Sequence, residues 1–398
     1  MQDKKLYRAC FYAFFYGGIV MITIGAALPD IRASYNLTDT MSGALLSCYS
    51  LGNLASGIII GFASLYLGHK PAILIFSGLL CLGLAMLAFM NLPVMLFTAC
   101  ALIGLGRGSI ITFSQRVINI FTNGDPKTTG LLHATFAVGA ILSPLIFSFM
   151  RLISWRAGII LVMILGFIAV FMFMFMSAKD YSCLDVHDPD SDSNPDSNPE
   201  SHTHTEKSFE FFRDRGFLII ACLMFLYLCC EFAVSGWLVT YMHHKNMTLG
   251  YAHSMASLLW FVMLAGRLVC ARLVKYIPQR KIMPVLASGS ALSFAFMLIS
   301  KGEIMIALSV ACLGFFMSGI SPMIYASSAP YTNKFPLAMG ILFTIGCTGG
   351  TIMPLITGVI AEFYGFDGGM SAILATFALL IIFAVINLRS VSASVSAD

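Results

Sequence analysis

The sequence carries very little charge. Of 398 residues only 11% are Asp, Glu, Lys or Arg, while 58% are hydrophobic. A soluble surface must be polar, so a water-soluble globule of this length is excluded. Alternating ten-residue apolar segments are missing as well, and the apolar runs are long and unbroken, which excludes a membrane β-barrel. Eleven cysteines occur, but their spacing fits no disulfide framework, metal site or redox pair. Only Cys183 lies in polar sequence; the others read as small buried hydrophobes. There is no nucleotide-binding loop, zinc motif or nucleophile elbow, so neither a nucleotide-driven pump nor an enzyme is expected. The GLGRG run at residues 104–108 sits inside an apolar segment with no strand before it. No cleavable leader is expected either, because the short basic start MQDKKLYRAC runs directly into apolar sequence.

What remains is a series of twelve apolar segments of membrane-spanning length. Their approximate limits are 9–28, 43–66, 71–90, 94–118, 128–150, 156–177, 216–241, 251–274, 282–300, 304–326, 336–361 and 368–388. The fold class is an all-α membrane protein. Of 23 lysines and arginines, Arg107 and Arg267 fall inside segments. With the N-terminus inside, the outer flanks hold only Arg32, Arg151, Arg156, Lys245 and Lys301, and the other sixteen lie on cytoplasmic flanks. That asymmetry places both termini in the cytoplasm. The net charge of +4 gives no sign of a nucleic-acid partner.

One long polar stretch divides the chain. Its centre, DPDSDSNPDSNPESHTHTEK, has no apolar anchor and is expected to be a disordered cytoplasmic linker. The resulting organisation is an N-terminal six-helix bundle at 1–178, a linker at 179–215 and a C-terminal six-helix bundle at 216–398. The halves echo one another. GAILSPLI begins at Gly139 and GGTIMPLI at Gly349, an offset of 210 residues. Segments two and eight, about 209 apart, both run a small-residue stripe into a basic turn. Gly57 and Gly61 form a G-x-x-x-G face, which allows close helix approach. Two matches at one offset indicate a duplicated six-helix unit.

Segment seven, FLIIACLMFLYLCCEFAVSGWLVTY, holds one acid, Glu231, about fifteen residues in. An ionisable group at that depth costs roughly 2.5–3.5 kcal/mol, so it usually faces a cavity or a partner. Arg107, near the middle of segment four, is the other deep charge. Its guanidinium stays charged and offers a planar fork suited to carboxylate, phosphate or clustered hydroxyls.

Two six-segment halves joined by a cytoplasmic linker resemble the major facilitator superfamily over nearly the whole chain. Three motifs are similar to the fucose–proton symporter and glucose/galactose permease group. They are the Glu231–Trp237 pair in segment seven, Ser257, Trp260, Gly266 and Arg267 in segment eight, and His133, Phe136, Gly139, Ala140 and Pro144 in segment five. The departures matter as well. Where the superfamily's loop after segment two carries an acid and a base, this chain has Leu65 and Tyr66. Segment one has no acid and segment four no Glu, whereas the resembling symporters keep their proton-handling carboxylates there. Proton coupling by that route is therefore in doubt.

The resemblance implies that segments one, four, seven and ten line a central cavity, so Arg107 and Glu231 face one another. Two readings stand at this point. Either Arg107 binds an anionic or polyhydroxylated substrate while Glu231 carries a proton or bonds hydroxyls, or the two form a salt bridge between halves. Trp237, Asn53, Trp260 and Tyr227 are further substrate-binding candidates, set against interfacial anchoring for Trp237, a bond to a neighbouring helix for Asn53 and packing for Trp260 and Tyr227. Tyr16, Tyr49 and Tyr325 are weaker candidates of the same kind. Arg267, His133 and Gln115, on the cytoplasmic side of their segments, are candidates for coupling or gating alongside Glu231; packing is the alternative for His133. The expected function is secondary active transport of a small polar solute, a sugar or anionic sugar-like metabolite, across the cytoplasmic membrane. The alternative is export of a drug, siderophore or other amphiphile. No cofactor or metal is expected, the drive being a proton or sodium gradient. The expected partners are substrate and lipid, and the expected state is a monomer.

Overall fold

The computed structural model describes residues 3–122, 125–176, 181, 211, 214–332 and 335–395. Among them are twelve helices long and apolar enough to cross a membrane. The first half holds α1 (Asp3–Tyr35), α2 (Asp39–Leu67), α3 (His69–Phe89), α4 (Pro93–Phe121), α5 (Pro126–Met150) and α6 (Trp155–Met174). The second holds α7 (Arg215–His244), α8 (Leu249–Leu273), α9 (Gln279–Ile299), α10 (Glu303–Thr332), α11 (Pro336–Tyr364) and α12 (Phe366–Val395). Every expected segment is a helix. The ends of α1 and α12 extend furthest beyond expectation, because a helix continues into polar sequence that hydropathy does not mark.

Local chemistry sets the turns. Thr38, Asp125, Ser154, Asp214 and Thr248 each accept a backbone amide at the start of the following helix. Gly68 separates α2 from α3 at φ +83°, where a side chain would be strained. The break in α10 falls at Ser318 and Gly319. Pro322, four residues beyond Ser318, has no N–H to offer the Ser318 carbonyl, so the helical ladder cannot continue there.

Glycine contacts bear out the duplication. A Cβ on Gly139 of α5 would lie 1.9 Å from the Phe15 carbonyl of α1, and one on Gly349 of α11 would lie 2.5 Å from the Phe225 carbonyl of α7. Both members of the second pair lie 210 residues beyond those of the first. Gly104 against the Tyr49 carbonyl repeats the same way as Gly314 against the Leu259 carbonyl. Missing side chains let these helices approach to backbone contact.

The halves meet along α2–α11, α5–α8 and α1–α7. With alternating helix directions, α1 begins and α12 ends at one end of the bundle, the terminal face. At the opposite, far face the halves are closed. Gly43 abuts Pro354 and Gly358, and Gly25 abuts Ser235 and Gly236. The Thr40 amide donates to Glu362 Oε2 at 2.9 Å, and Ser257 Oγ donates to the Ile141 carbonyl at 2.9 Å. His253 Nε2 lies 3.0 Å from the Ala26 carbonyl. Toward the terminal face the halves part. A Cβ on Gly57, Gly61, Gly130 or Gly340 would meet nothing within 4 Å. The expected close packing of Gly57 and Gly61 is thereby corrected: in this conformation that stretch of α2 faces open space.

The expected linker, 179–215, lies outside the described residues except for Tyr181, Phe211, Asp214 and Arg215. Tyr181 donates to the Phe173 carbonyl at 3.2 Å on the first half. Phe211 packs with ring centroids 4.6 Å from Phe217 and 5.3 Å from Phe335 on the second. Deleting residues 188–204 spares both anchors. Loop closure varies slowly with length, so yield and transport are expected to stay within about threefold of the parent. Loss of folded protein, read by size-exclusion chromatography, would refute this.

Candidate functional site

The run of glycines at 104, 106 and 108 explains how Arg107 is seated. Gly104 and Gly108, one turn apart, bring α4 against Tyr49, Asn53 and Ser56 of α2, and Gly106 brings it against Phe76 and Leu80 of α3. The guanidinium thus sits within reach of three neighbouring helices. Arg107 Nε donates to the Gly17 carbonyl of α1 at 3.0 Å, and Nη1 donates to Asn53 Oδ1 of α2 at 2.7 Å. The ring of Phe136, on α5, lies 5.4 Å from its central carbon. Its cation–π contact is the kind that strengthens when water is excluded. The Tyr49 hydroxyl stands beside the guanidinium, buried and without a completed hydrogen bond. Arg107 is 6% exposed, and its bonded partners are all neutral.

Glu231 faces it from α7, itself 8% exposed. Its surroundings include the Tyr227 hydroxyl one turn away and the two arginines, Arg267 and Arg107. No ion pair within 4.0 Å joins Glu231 to either arginine among the described residues; the pairs there are Arg32–Asp39 at 2.6 Å and Arg151–Asp30 at 3.1 Å. The salt-bridge reading is therefore corrected. Arg107 is held by α1 and α2 instead, and a gap separates the two charges.

Arg267 belongs to the same constellation. It is half-buried on α8, and its Nε is sealed from solvent without a hydrogen bond. Gly266 beside it admits Ser318 at the α10 break. His133 of α5 is exposed, with its ring edge-on to Phe14 at 5.5 Å. Trp260 of α8 is 2% exposed and meets Phe136 at 6.3 Å in a T-shaped contact. Arg107, Phe136 and Trp260 therefore form a continuous stack from one half to the other.

The remaining candidates divide. Asn53 has its amide oxygen occupied by Arg107. Tyr227 is fully buried, its hydroxyl beside Glu231 with no completed hydrogen bond. Gln115 donates to Asn119 Oδ1 at 2.9 Å on its own helix, nearer the terminal face. Trp237 is a correction. It is fully buried, donates its indole N–H to the Pro354 carbonyl at 3.2 Å, and meets Phe366 edge-on at 5.4 Å. It belongs to the far-face seal, where no solute reaches it in this conformation. Phe136 and His253 were not singled out as site or seam residues from the sequence. His253 and Ser257 lie one turn apart in LGYAHSMASLLW, and that spacing is the signal that marks a polar seam on an apolar helix.

The family model described as Major Facilitator Superfamily matches residues 9–326. The chain is 23% identical over 385 residues to an uncharacterized MFS-type transporter of Yersinia pestis, covering 96% of this chain and 94% of that protein. A stretch of 147 residues is 28% identical to the efflux pump dotC of Dothistroma septosporum, covering 36% of this chain and 25% of the pump. Among solved structures, a bacterial homolog to the human lysosomal transporter Spinster superposes with a TM-score of 0.79 at 11% identity, covering 98% of this chain and 97% of that one. An identity that low shows the fold alone.

Proposed function

The chain belongs to the Major Facilitator Superfamily, and from that premise we propose that it is a secondary active transporter of a small polar solute. The solute is a sugar or an anionic sugar-like metabolite, carried across the cytoplasmic membrane by alternating access. One observation carries the reading. Arg107, Glu231 and Arg267, drawn from both halves, converge where the halves are sealed on one face and parted on the other. Residual bonding capacity at such a place suits a solute with several polar groups. The motif resemblance to the fucose–proton symporter and glucose/galactose permease group supports the sugar-like class. Placing both termini in the cytoplasm makes this conformation inward-open. The drive is a proton or sodium gradient, and the working unit is a monomer.

The test is uptake by purified protein in liposomes, with a solute panel and an imposed pH or sodium gradient. Absence of any gradient-driven or exchange flux across the panel, in either direction, would sink the reading. Orientation has its own check. A thiol at Lys301, exposed on the far face, is expected to react with an impermeant reagent only from outside the cell, and one at Lys275 only from inside. The reverse pattern would overturn the charge argument. Lys301 serves better than Lys245, whose ammonium is spent on the Met297, Leu298 and Ser300 carbonyls.

Glu231 is the one acid placed deep between the halves among the described residues. Glu231→Gln keeps its shape and removes the titratable charge. It is expected to abolish accumulation against a gradient while leaving substrate exchange within about tenfold of the parent, the loss of one hydrogen-bonding contact. If both activities fall together, Glu231 binds substrate and carries no coupling proton.

A second reading, export of a drug, siderophore or other amphiphile, draws on the missing acids in α1 and α4. Outward flux of such a compound in inverted vesicles, without sugar flux, would favour it.

A further inference from the structure

The central site carries unequal charge. Arg107 and Arg267 contribute two positive charges and Glu231 one negative charge, and Arg107 is bonded only to the Gly17 carbonyl, an amide oxygen and an aromatic face. No carboxylate among the described residues pairs with Arg107 within 4.0 Å and its bonded partners are neutral, so its charge is left uncompensated. A guanidinium 6% exposed in a membrane bundle, with no carboxylate of its own, is costly to keep there. Glu231 shows the converse, a carboxylate 8% exposed that no arginine bridges.

Resting on the transporter reading above, we propose that the solute is a monoanion bearing hydroxyl groups. Its carboxylate docks on the open edge of Arg107 beside Tyr49, and its hydroxyls donate to Glu231. The planar fork of arginine fits a carboxylate in two-point contact, and the bound charge brings the site to neutrality. Phe136, half-buried and backed by Trp260, supplies apolar aromatic surface against the carbon skeleton. Hexuronates and aldonates have this chemistry, and a neutral hexose lacks the part that Arg107 requires.

The probes are matched pairs that differ only in charge: glucuronate with glucuronamide, galacturonate with galacturonamide, and gluconate with gluconamide. Binding is read as a melting-temperature shift of the purified full-length protein and flux as counterflow in liposomes. At least one carboxylate is expected to bind ten times or more tighter than its amide, and Arg107→Gln is expected to erase that ratio. Equal or tighter binding of the amides, no binding by any carboxylate, or a ratio that survives in Arg107→Gln would each overturn the proposal. Should Arg107→Gln fail to fold, the ligand pairs on the parent protein decide alone. Flux of a neutral partner without flux of its carboxylate would overturn the anion while leaving transport standing. Binding without flux by any member would instead remove the transporter reading on which the proposal rests.

Discussion

A protein carrying Arg107→Met together with Glu231→Met is expected to fold, reach the membrane and transport nothing measurable. A salt bridge that merely held the halves together would give the opposite result, because a buried pair is often replaced by apolar residues at little cost. The structure contains no such bridge to replace. Arg107 is bonded to Gly17 and Asn53, and Glu231 stands apart beside the Tyr227 hydroxyl. Neutralising both therefore removes two separate bonding groups, one from each half. Charge-assisted hydrogen bonds contribute about 1.5–3 kcal/mol each. Losing one to substrate from each residue costs about 3 kcal/mol or more, roughly two powers of ten in affinity. Folding should survive, since two charges leave a low-dielectric interior and the acceptors that lose a donor, the Gly17 carbonyl and the Asn53 amide oxygen, are neutral. The single change Arg107→Lys is expected to be nearly as damaging. Lysine cannot reach the Gly17 carbonyl and Asn53 together with one planar group, nor lie flat on Phe136 in the same way. Transport by the double variant at more than a tenth of the parent rate, per folded molecule, would remove this site from the mechanism.

Much of the architecture could be read from the sequence because it is written in one dimension. A span needs a run of apolar residues whatever its neighbours are, so all twelve helices appear as runs. The Gly–Pro-Leu-Ile echo in α5 and α11 marks the same packing event twice, Gly139 on Phe15 and Gly349 on Phe225. Arg107 and Glu231 were legible for a related reason: a charge inside such a run requires an explanation.

The relations between helices were less legible. Trp237 and Trp260 look alike as letters, yet one seals the far face against Pro354 and the other continues the stack from Arg107 through Phe136. Arg267 read as a gate residue because of its position along α8, while the facing of helices also brings it into the surroundings of Glu231. The partners of Arg107 come from α1, α2 and α5, which no spacing within α4 can specify. Gly57 and Gly61 form a pattern that promises contact without saying in which state of the molecule the contact is made.

That last point yields an expectation of opposite sign at the two ends of α2. Gly43 lies where α2 and α11 touch, and a Cβ there would sit 2.5 Å from the Pro354 carbonyl, against backbone that cannot give way. Gly57 lies where they part, with nothing within 4 Å. Alternating access requires the parted end to close when the touching end opens. Gly57→Leu should therefore fold as the parent does and then obstruct closure of the terminal face, holding the molecule as it stands here. Gly43→Leu should obstruct closure of the far face and drive the molecule the other way. Overpacking costs about 1–3 kcal/mol, and each 1.4 kcal/mol is tenfold in population, so transport should fall by roughly 10- to 100-fold in both. A thiol at Ser50 tells them apart, because this buried residue lines a small void between the halves with Met21, Phe232 and Pro354. In a background without reactive cysteines, Ser50→Cys should be labelled from the far face in Gly43→Leu and protected in Gly57→Leu. A thiol at Gly340, open here, should show the reverse from the terminal face. Identical labelling in the two variants would mean that α2 and α11 do not form the closing surface, and that the small residues at 57 and 61 serve no gate.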